Sequence, residues 1–173
     1  MFIHESVDLA QLKRRNTEEG RRYETPSGAL YPSVTTILSH KSKPFIQAWR
    51  KRIGEKEADK ISSRAARRGT KIHHLVEDYL NNDLEKEQDG ILTLDYVDKE
   101  MYFNMKDLLK DINNIRCLES TMYSDHLRLG GQVDCIAEYK GKLSVIDFKT
   151  STKRKTRSQC YNYFIQCSAY AIM

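Results

Sequence analysis

The sequence is poor in the features that mark secreted, fibrous and membrane proteins. Its four cysteines, Cys117, Cys135, Cys160 and Cys167, show neither CxxC spacing nor the tight grouping of a zinc site, so they read as ordinary core or surface thiols. No apolar run reaches the about 18 residues that a membrane-crossing helix needs. The opening MFIHESVDLA carries Glu5 and Asp8, unlike a secretory signal or an acid-poor transit peptide, and a soluble intracellular protein is expected. With only three prolines and eight glycines in 173 residues, the composition is globular rather than disordered and suits one domain with a real core. An excess of acid is also missing: the net charge is +5 and the pI near 8.9, which suits a polyanionic partner better than an acidic one.

What is present centres on LGGQVDCIAEYKGKLSVIDFKT, residues 129–150. Two β-rich runs meet at Lys140-Gly141, and an even-length turn there pairs Tyr139 with Lys142 and sets Asp134 opposite Asp147. Opposed Cβ atoms on neighbouring strands are roughly 4.5–5.5 Å apart, close enough for one cation to bridge both carboxylates. Period two puts Lys149 on the face of Asp147. Lys-Gly is a poorer hairpin signal than Asn-Gly, and a bulge would shift the register by one and turn the acids apart. A solvated hairpin with scattered charges is the competing reading. Against it stand Val133, Ile136, Val145, Ile146 and Phe148, which make both faces apolar, so that buried carboxylates would need a metal or a cationic partner.

Residues 1–22 read as a basic arm, mobile and solvated, of a kind that can track phosphates. Pro26-Ser-Gly28 marks a turn. Ser33 caps a short helix to Ser39, and Pro44 opens a second, with Phe45, Ile46 and Trp49 as its packing side. Glu55 to Leu80 is helical, with a new helix starting at Gly69. There Ile72, Leu75, Val76 and Tyr79 mark the core side, and His73 and Glu77, at i and i+4, face together. His74 points about 100° away from His73. The basic cluster Arg64, Arg67 and Arg68 lies just before, as candidate DNA-binding residues.

Asn81 to Gly90 reads as a charged loop, and Asp95 to Ile112 as an amphipathic helix burying Val97, Met101, Leu108, Leu109 and Ile112. Arg116 to Ser124 is a strand carrying Glu119, a secondary acid. After Lys149 comes a loop with Lys153, Arg154, Lys155 and Arg157, placed to hold the backbone of a bound strand. Ser158 caps the last helix, on which Gln166 and Tyr170 share a face while Phe164, Ile165 and Ala169 pack.

Gly131-Gln-Val-Asp134, Asp147-Phe-Lys149 and Gln166-Cys-Ser-Ala-Tyr170 resemble the GxxD, DxK and QxxxY signature of the PD-(D/E)xK nuclease superfamily, RecB-type branch. Gly69-Thr-Lys-Ile-His73 is similar to the helix motif that carries that branch's active-site histidine. The YPSVTTIL and IDFKTS segments look like those of exonucleases of the phage and mitochondrial-genome-maintenance type. The resemblance runs from Tyr23 onward and implies one nuclease domain over 23–173. The implied fold class is α/β (α+β): a restriction-endonuclease-like core with a central mixed sheet flanked by helices and an N-terminal helical extension. Relatives continue with a further strand and helix, which leaves a shortened nuclease or a piece of one as alternatives.

The implied activity is a Mg²⁺- or Mn²⁺-dependent deoxyribonuclease of the exonuclease kind, acting on single-stranded DNA or DNA ends in recombination, repair or degradation. A structure-selective or nicking endonuclease, or a DNA-binding module without chemistry, are the alternatives; the partner is DNA and no membrane, with protein partners left open. Asp134, Asp147, His73 and the Phe148 carbonyl would hold the ion, an oxygen-rich set with one imidazole that suits Mg²⁺ or Mn²⁺ better than zinc. Lys149 would orient or help deprotonate the attacking water, Gln166 and Tyr170 would position the substrate strand or a water on the metal, and Glu77 would fix the tautomer of His73.

Overall fold

A computed structural model describes residues 1–173. The chain begins with three short antiparallel strands, β1 (Lys13–Thr17), β2 (Gly20–Glu24) and β3 (Leu30–Pro32). Four helices follow: α1 (Val34–Ile53), α2 (Glu55–Leu80), α3 (Leu84–Leu92) and α4 (Tyr96–Leu109). A second antiparallel sheet has the order β4 (Ile112–Ser124), β5 (Leu129–Tyr139) and β6 (Lys142–Ile146), and after a 3₁₀ turn at Ser158–Cys160 the helix α5 (Tyr161–Ile172) ends the chain. The α/β class is as expected. Within it the sheets are antiparallel rather than mixed, parallel contact coming only from isolated bridges at His4–Ile115 and Ser33–Gly130.

The β5–β6 hairpin follows from its turn. Lys140 and Gly141 both have positive φ, 50° and 74°, as a two-residue primed turn requires. The ladder then runs from Tyr139–Lys142 to Cys135–Ile146, so that Asp134 and Asp147 are next in line. β4 carries a bulge between Asn113 and Cys117, beyond which its register with β5 is unbroken to Ser124–Leu129.

Two buried clusters hold the helices to these strands. Ile72, Leu75, Val76 and Leu80 of α2 and Tyr102 and Leu109 of α4 pack with Ile112, Ile115, Cys135, Ala137 and Phe148. Val34 of α1 and Ala169 and Tyr170 of α5 pack with Cys117 and Val133. Burying side chains of this size stabilises by about 1.5–3 kcal/mol each, so the frame that carries the hairpin is the best-anchored part of the molecule.

Several expectations are corrected. Residues 1–22 are not a free arm: Glu5 N and Val7 N donate to the carbonyls of Ile115 and Arg116 at 2.8 and 2.9 Å, and Leu12 N donates to Thr121 Oγ1 at 2.9 Å. Backbone pairing to β4, which a charged sequence does not advertise, outweighs chain entropy there. Ser33 does cap α1, its Oγ accepting from Thr36 N at 2.9 Å, but the helix runs through Pro44 instead of restarting. Docking on α5, where Asn162 Nδ2 donates to Ser42 Oγ at 3.2 Å, outweighs the bond that proline forfeits.

Phe45 and Ile46 are exposed and only Trp49 is half-buried. α2 is continuous through Gly69, a helix-interior glycine costing only about 1 kcal/mol against alanine. Residues 81–90 contain most of α3, which Asp83 caps through Lys86 N. α4 buries Asp98, Tyr102 and Leu109 and leaves Val97 and Leu108 exposed, because the face is set by packing on α2 and α3. Ser158 opens the 3₁₀ turn and does not cap α5, and Phe164 is exposed.

Candidate active site

The continuous α2 fixes His73. Ile72 and Val76 are buried on either side of it in sequence, so the helix cannot rotate, and His73 faces the sheet while His74 faces solvent. His73 Nε2 lies 2.8 Å from the Phe148 carbonyl, and Nδ1 is 3.7 Å from a carboxylate oxygen of each of Glu119 and Asp134. The Glu119 carboxylate chiefly, and then the Asp134 charge and the Phe148 carbonyl, hold the imidazole above its ordinary pKa against the opposing effect of burial.

Asp134 leaves β5 at the end of the ladder, and its Oδ2 accepts from Phe148 N at 2.7 Å. Burial, reinforced by the charge of Asp147, pushes its carboxyl up to about 6 despite His73 and Lys149. Asp147 is deeper still, with a side chain 2% exposed. Its Oδ1 accepts from Gln166 Nε2 at 2.8 Å. Its Oδ2 has the Lys149 ammonium against it; the contact is an ion pair, and that oxygen accepts no hydrogen bond.

Lys149 Nζ is also 3.4 Å from the Phe148 carbonyl, and Gln166 Nε2 is 3.4 Å from Tyr170 Oη, whose proton burial holds on well above the usual range.

Glu119 sits between two paired positions of β4, Leu118–Cys135 and Ser120–Val133, with φ at +45°. A left-handed glutamate in a strand is costly and persists only where its surroundings fix it. Gln132 Nε2 does so, donating to the Glu119 carbonyl at 3.1 Å and to Oε2 at 2.8 Å. Ligand atoms of His73, Glu119 and Asp134 all lie within 4.8 Å of one another. These donors fit a divalent cation: two carboxylates and an imidazole converge, burial and the Asp147 charge destabilise Asp134 as an anion, and the nearby Asp147 Oδ2 accepts no hydrogen bond.

The other candidate residues fall at different distances from this centre. Glu77, expected beside His73, has its carboxylate 3.7 Å from His74 Nδ1 instead; the acid that flanks His73 is Glu119, reached through the fold rather than along the helix. Arg64 lines a cleft of about 550 Å³ between α2 and residues 150–152, and Arg67 is exposed nearby. Arg68 is not free for a ligand: its guanidinium is paired with Asp98 of α4, and both side chains are nearly buried. Lys153, Arg154, Lys155 and Arg157 are exposed on the loop after Lys149, with the Lys155 ammonium 4.6 Å from the Tyr163 ring centroid.

Gln132 was not singled out from the sequence, although its place two residues before Asp134 puts it on the same face of β5. The site opens on a cavity of about 210 Å³ lined by Glu119, Asp134, Lys149, Gln166 and Tyr170.

Residues 41–173 match the model of the PD-(D/E)XK nuclease superfamily. The chain is 33% identical over 134 residues to the human mitochondrial genome maintenance exonuclease 1, a match covering 72% of this chain and 38% of that protein. It is 32% identical over 138 residues to the protein of that name from Mus musculus, with the same shares of the two chains. Against the one from Xenopus tropicalis it is 32% identical over 139 residues, 72% of this chain and 37% of the relative. The matched region thus spans under two fifths of the length of these curated relatives.

Proposed function

This chain belongs to the PD-(D/E)XK nuclease superfamily, and we propose that it is a nuclease, specifically a Mg²⁺- or Mn²⁺-dependent DNA exonuclease that works from the ends of single strands. The observation that supports the reading is the hairpin itself: Asp134, Asp147 and Lys149 come together beside His73, with Lys149 charge-paired to a buried carboxylate that Gln166 also holds. The curated relatives are named as exonucleases, which favours digestion from ends.

His73, Glu119 and Asp134, with Asp147 and the Phe148 carbonyl beside them, would hold the ion. When bound, such a cation supplies Lewis-acid neutralisation of the phosphoryl oxygens and lowers the pKa of water. The chain's own groups do the rest. Lys149, fixed between Asp147 and the Phe148 carbonyl, directs the attacking water at phosphorus and offsets the charge that gathers on the phosphoryl oxygens. Water adds its oxygen to phosphorus and gives up a proton to solvent, the bond to the sugar oxygen breaks, and the departing alkoxide takes up a proton from solvent, so that no net proton is gained or lost.

Gln166 keeps Asp147 oriented through Nε2, and Tyr170, protonated at neutral pH, stands beside the cavity as a hydrogen-bond donor for the strand. The exposed cations of residues 153–157 and Arg64 and Arg67 track the backbone by displacing counterions. Recombination, repair or degradation of DNA are the processes such an activity serves.

The test uses linear single-stranded DNA labelled at either end, and a closed single-stranded circle, with the purified chain in Mg²⁺, Mn²⁺ or chelator. Metal-dependent loss of the linear strand with the circle spared is expected. Cut circles would replace the exonuclease by a nicking endonuclease, and binding without cutting would reduce the chain to a DNA-binding module.

A further inference from the structure

The N-terminal sheet lies ahead of the residues matched to the superfamily, which begin at position 41, and it carries Arg14, Arg15, Arg21 and Arg22 on two paired strands. Pairing of Arg14 with Tyr23 and of Asn16 with Arg21 puts Arg14, Tyr23 and Arg21 on one face of the hairpin. Arg15 and Arg22 are on the other. The outward pair is neutralised within the hairpin, Arg15 Nη2 by Glu24 at 2.8 Å and Arg22 by Glu19. The inward pair has no carboxylate partner.

The inward face is firmly seated. Tyr23 is 1% exposed and lies against Gly130 of β5, where a β-carbon would come 2.8 Å from that of Tyr23. The Arg21 backbone is clamped at the start of α1, its carbonyl accepting from Ser33 N at 2.9 Å and its N–H donating to Thr36 Oγ1 at 3.1 Å. So placed, Arg21 lines the same cavity as Asp134, Lys149 and Gln166, and Arg14 lines the adjoining cleft with His73, Glu119 and Gln132. One unpaired guanidinium therefore stands on each flank of the acid and histidine cluster.

We infer that the N-terminal hairpin is a wall of the substrate groove and that Arg14 and Arg21 are strand-holding residues, each taking a phosphodiester group next to the one that is cut. This rests on the DNA-nuclease reading above. Guanidinium suits the task because its planar fork meets two phosphate oxygens at once, and seating it on a strand rather than a free arm lowers the entropy lost on binding. Holding flanking phosphates fixes the register of the strand without reading its bases.

The experiment compares Arg14→Gln, Arg21→Gln and their double variant with the outward controls Arg15→Gln and Arg22→Gln. Equilibrium binding of a labelled single-stranded oligonucleotide is followed over a NaCl series in chelator, cleavage kinetics in Mn²⁺, and thermal unfolding for each variant. Each inward substitution is expected to weaken binding about five- to tenfold and to reduce the slope of log affinity against log salt by about 0.7, the double variant by about 1.4. KM rises more than kcat falls, Arg21→Lys recovers part of the loss, the outward controls keep wild-type affinity and slope, and Tm is unchanged throughout.

Inward variants indistinguishable from the outward ones, while the wild type binds and cuts, would overturn the hairpin assignment alone. A loss of affinity that tracks a fall in Tm would overturn it too, since Arg21→Lys keeps the charge and the fold. A wild-type chain that binds no DNA would overturn the nuclease reading and this inference with it.

Discussion

A β-carbon on Gly131 would lie 2.4 Å from Cε1 of the Tyr170 ring. β5 therefore meets α5 at backbone distance, and the position of Tyr170 in the site depends on the missing side chain. Gly131→Ala has to displace the ring from a buried position, where it is 3% exposed, at a cost of about 1–3 kcal/mol. A lower Tm and a fall in cleavage are expected, with metal affinity by calorimetry close to wild type because none of His73, Glu119 and Asp134 moves with the ring.

The contribution of the Asp134–His73 site to the stability of the metal-free chain should fall as pH rises from about 4 to about 7. The folded-state pKa of Asp134 is raised from 3.8 to about 6, so its ionisation is easier in the unfolded chain and disfavours folding above that range. His73, also raised, contributes stability that is present at acid pH and is lost as pH climbs through its folded value. Both act in one direction. Asp134→Asn should stabilise the metal-free chain at neutral pH by about 2 kcal/mol while abolishing cleavage, and should flatten the pH dependence measured by denaturant unfolding. Mn²⁺ should raise Tm more at pH 8 than at pH 5.

Arg68 and Arg64 are one helical turn apart and should behave differently. Removing Arg68 leaves the nearly buried Asp98 unpaired, so Arg68→Ala should cost about 3–5 kcal/mol of stability, and Arg68→Met with Asp98→Leu should recover most of it. Arg64→Ala, on an exposed face of the cleft, should leave Tm unchanged and weaken binding of single-stranded DNA.

Two acids compete for the role beside His73. Glu119→Ala should lower Mn²⁺ affinity about 10- to 100-fold in calorimetry, whereas Glu77→Ala, whose carboxylate faces the exposed His74, should change it by less than about twofold.

The difference between those acids shows what the sequence could carry. His73 and Glu77 share a helix, and their spacing alone suggested a pair; Glu119 comes from a strand 46 positions after His73 and is aimed by a left-handed backbone that a glutamate gives no sign of. The hairpin was legible because its signals are local: alternating apolar residues, a Lys140-Gly141 turn and acids at equal distance from it. The same local reading failed where tertiary packing decides. β1 and β2 are too polar to look like strands until Tyr23 docks on Gly130, and Pro44 and Gly69 look like helix ends that α5 and the continuing α2 override. Arg68 looked like a phosphate ligand because Asp98, its partner, lies 30 residues away.

The most direct test of the account is Lys149→Ala, measured for single-stranded DNA affinity in chelator and for cleavage in Mn²⁺ beside the wild type. The ammonium itself is 35% exposed, but its loss leaves the buried Asp147 without its cation, so Lys149→Ala should lower Tm, as Arg68→Ala does, and both assays are run well below that Tm. Affinity within about twofold of wild type and cleavage lower by about a thousandfold are expected, since the residue acts on the attacking water and the transition-state charge. Cleavage undiminished in Lys149→Ala would contradict the central claim that the Asp134, Asp147 and Lys149 constellation is the catalytic centre.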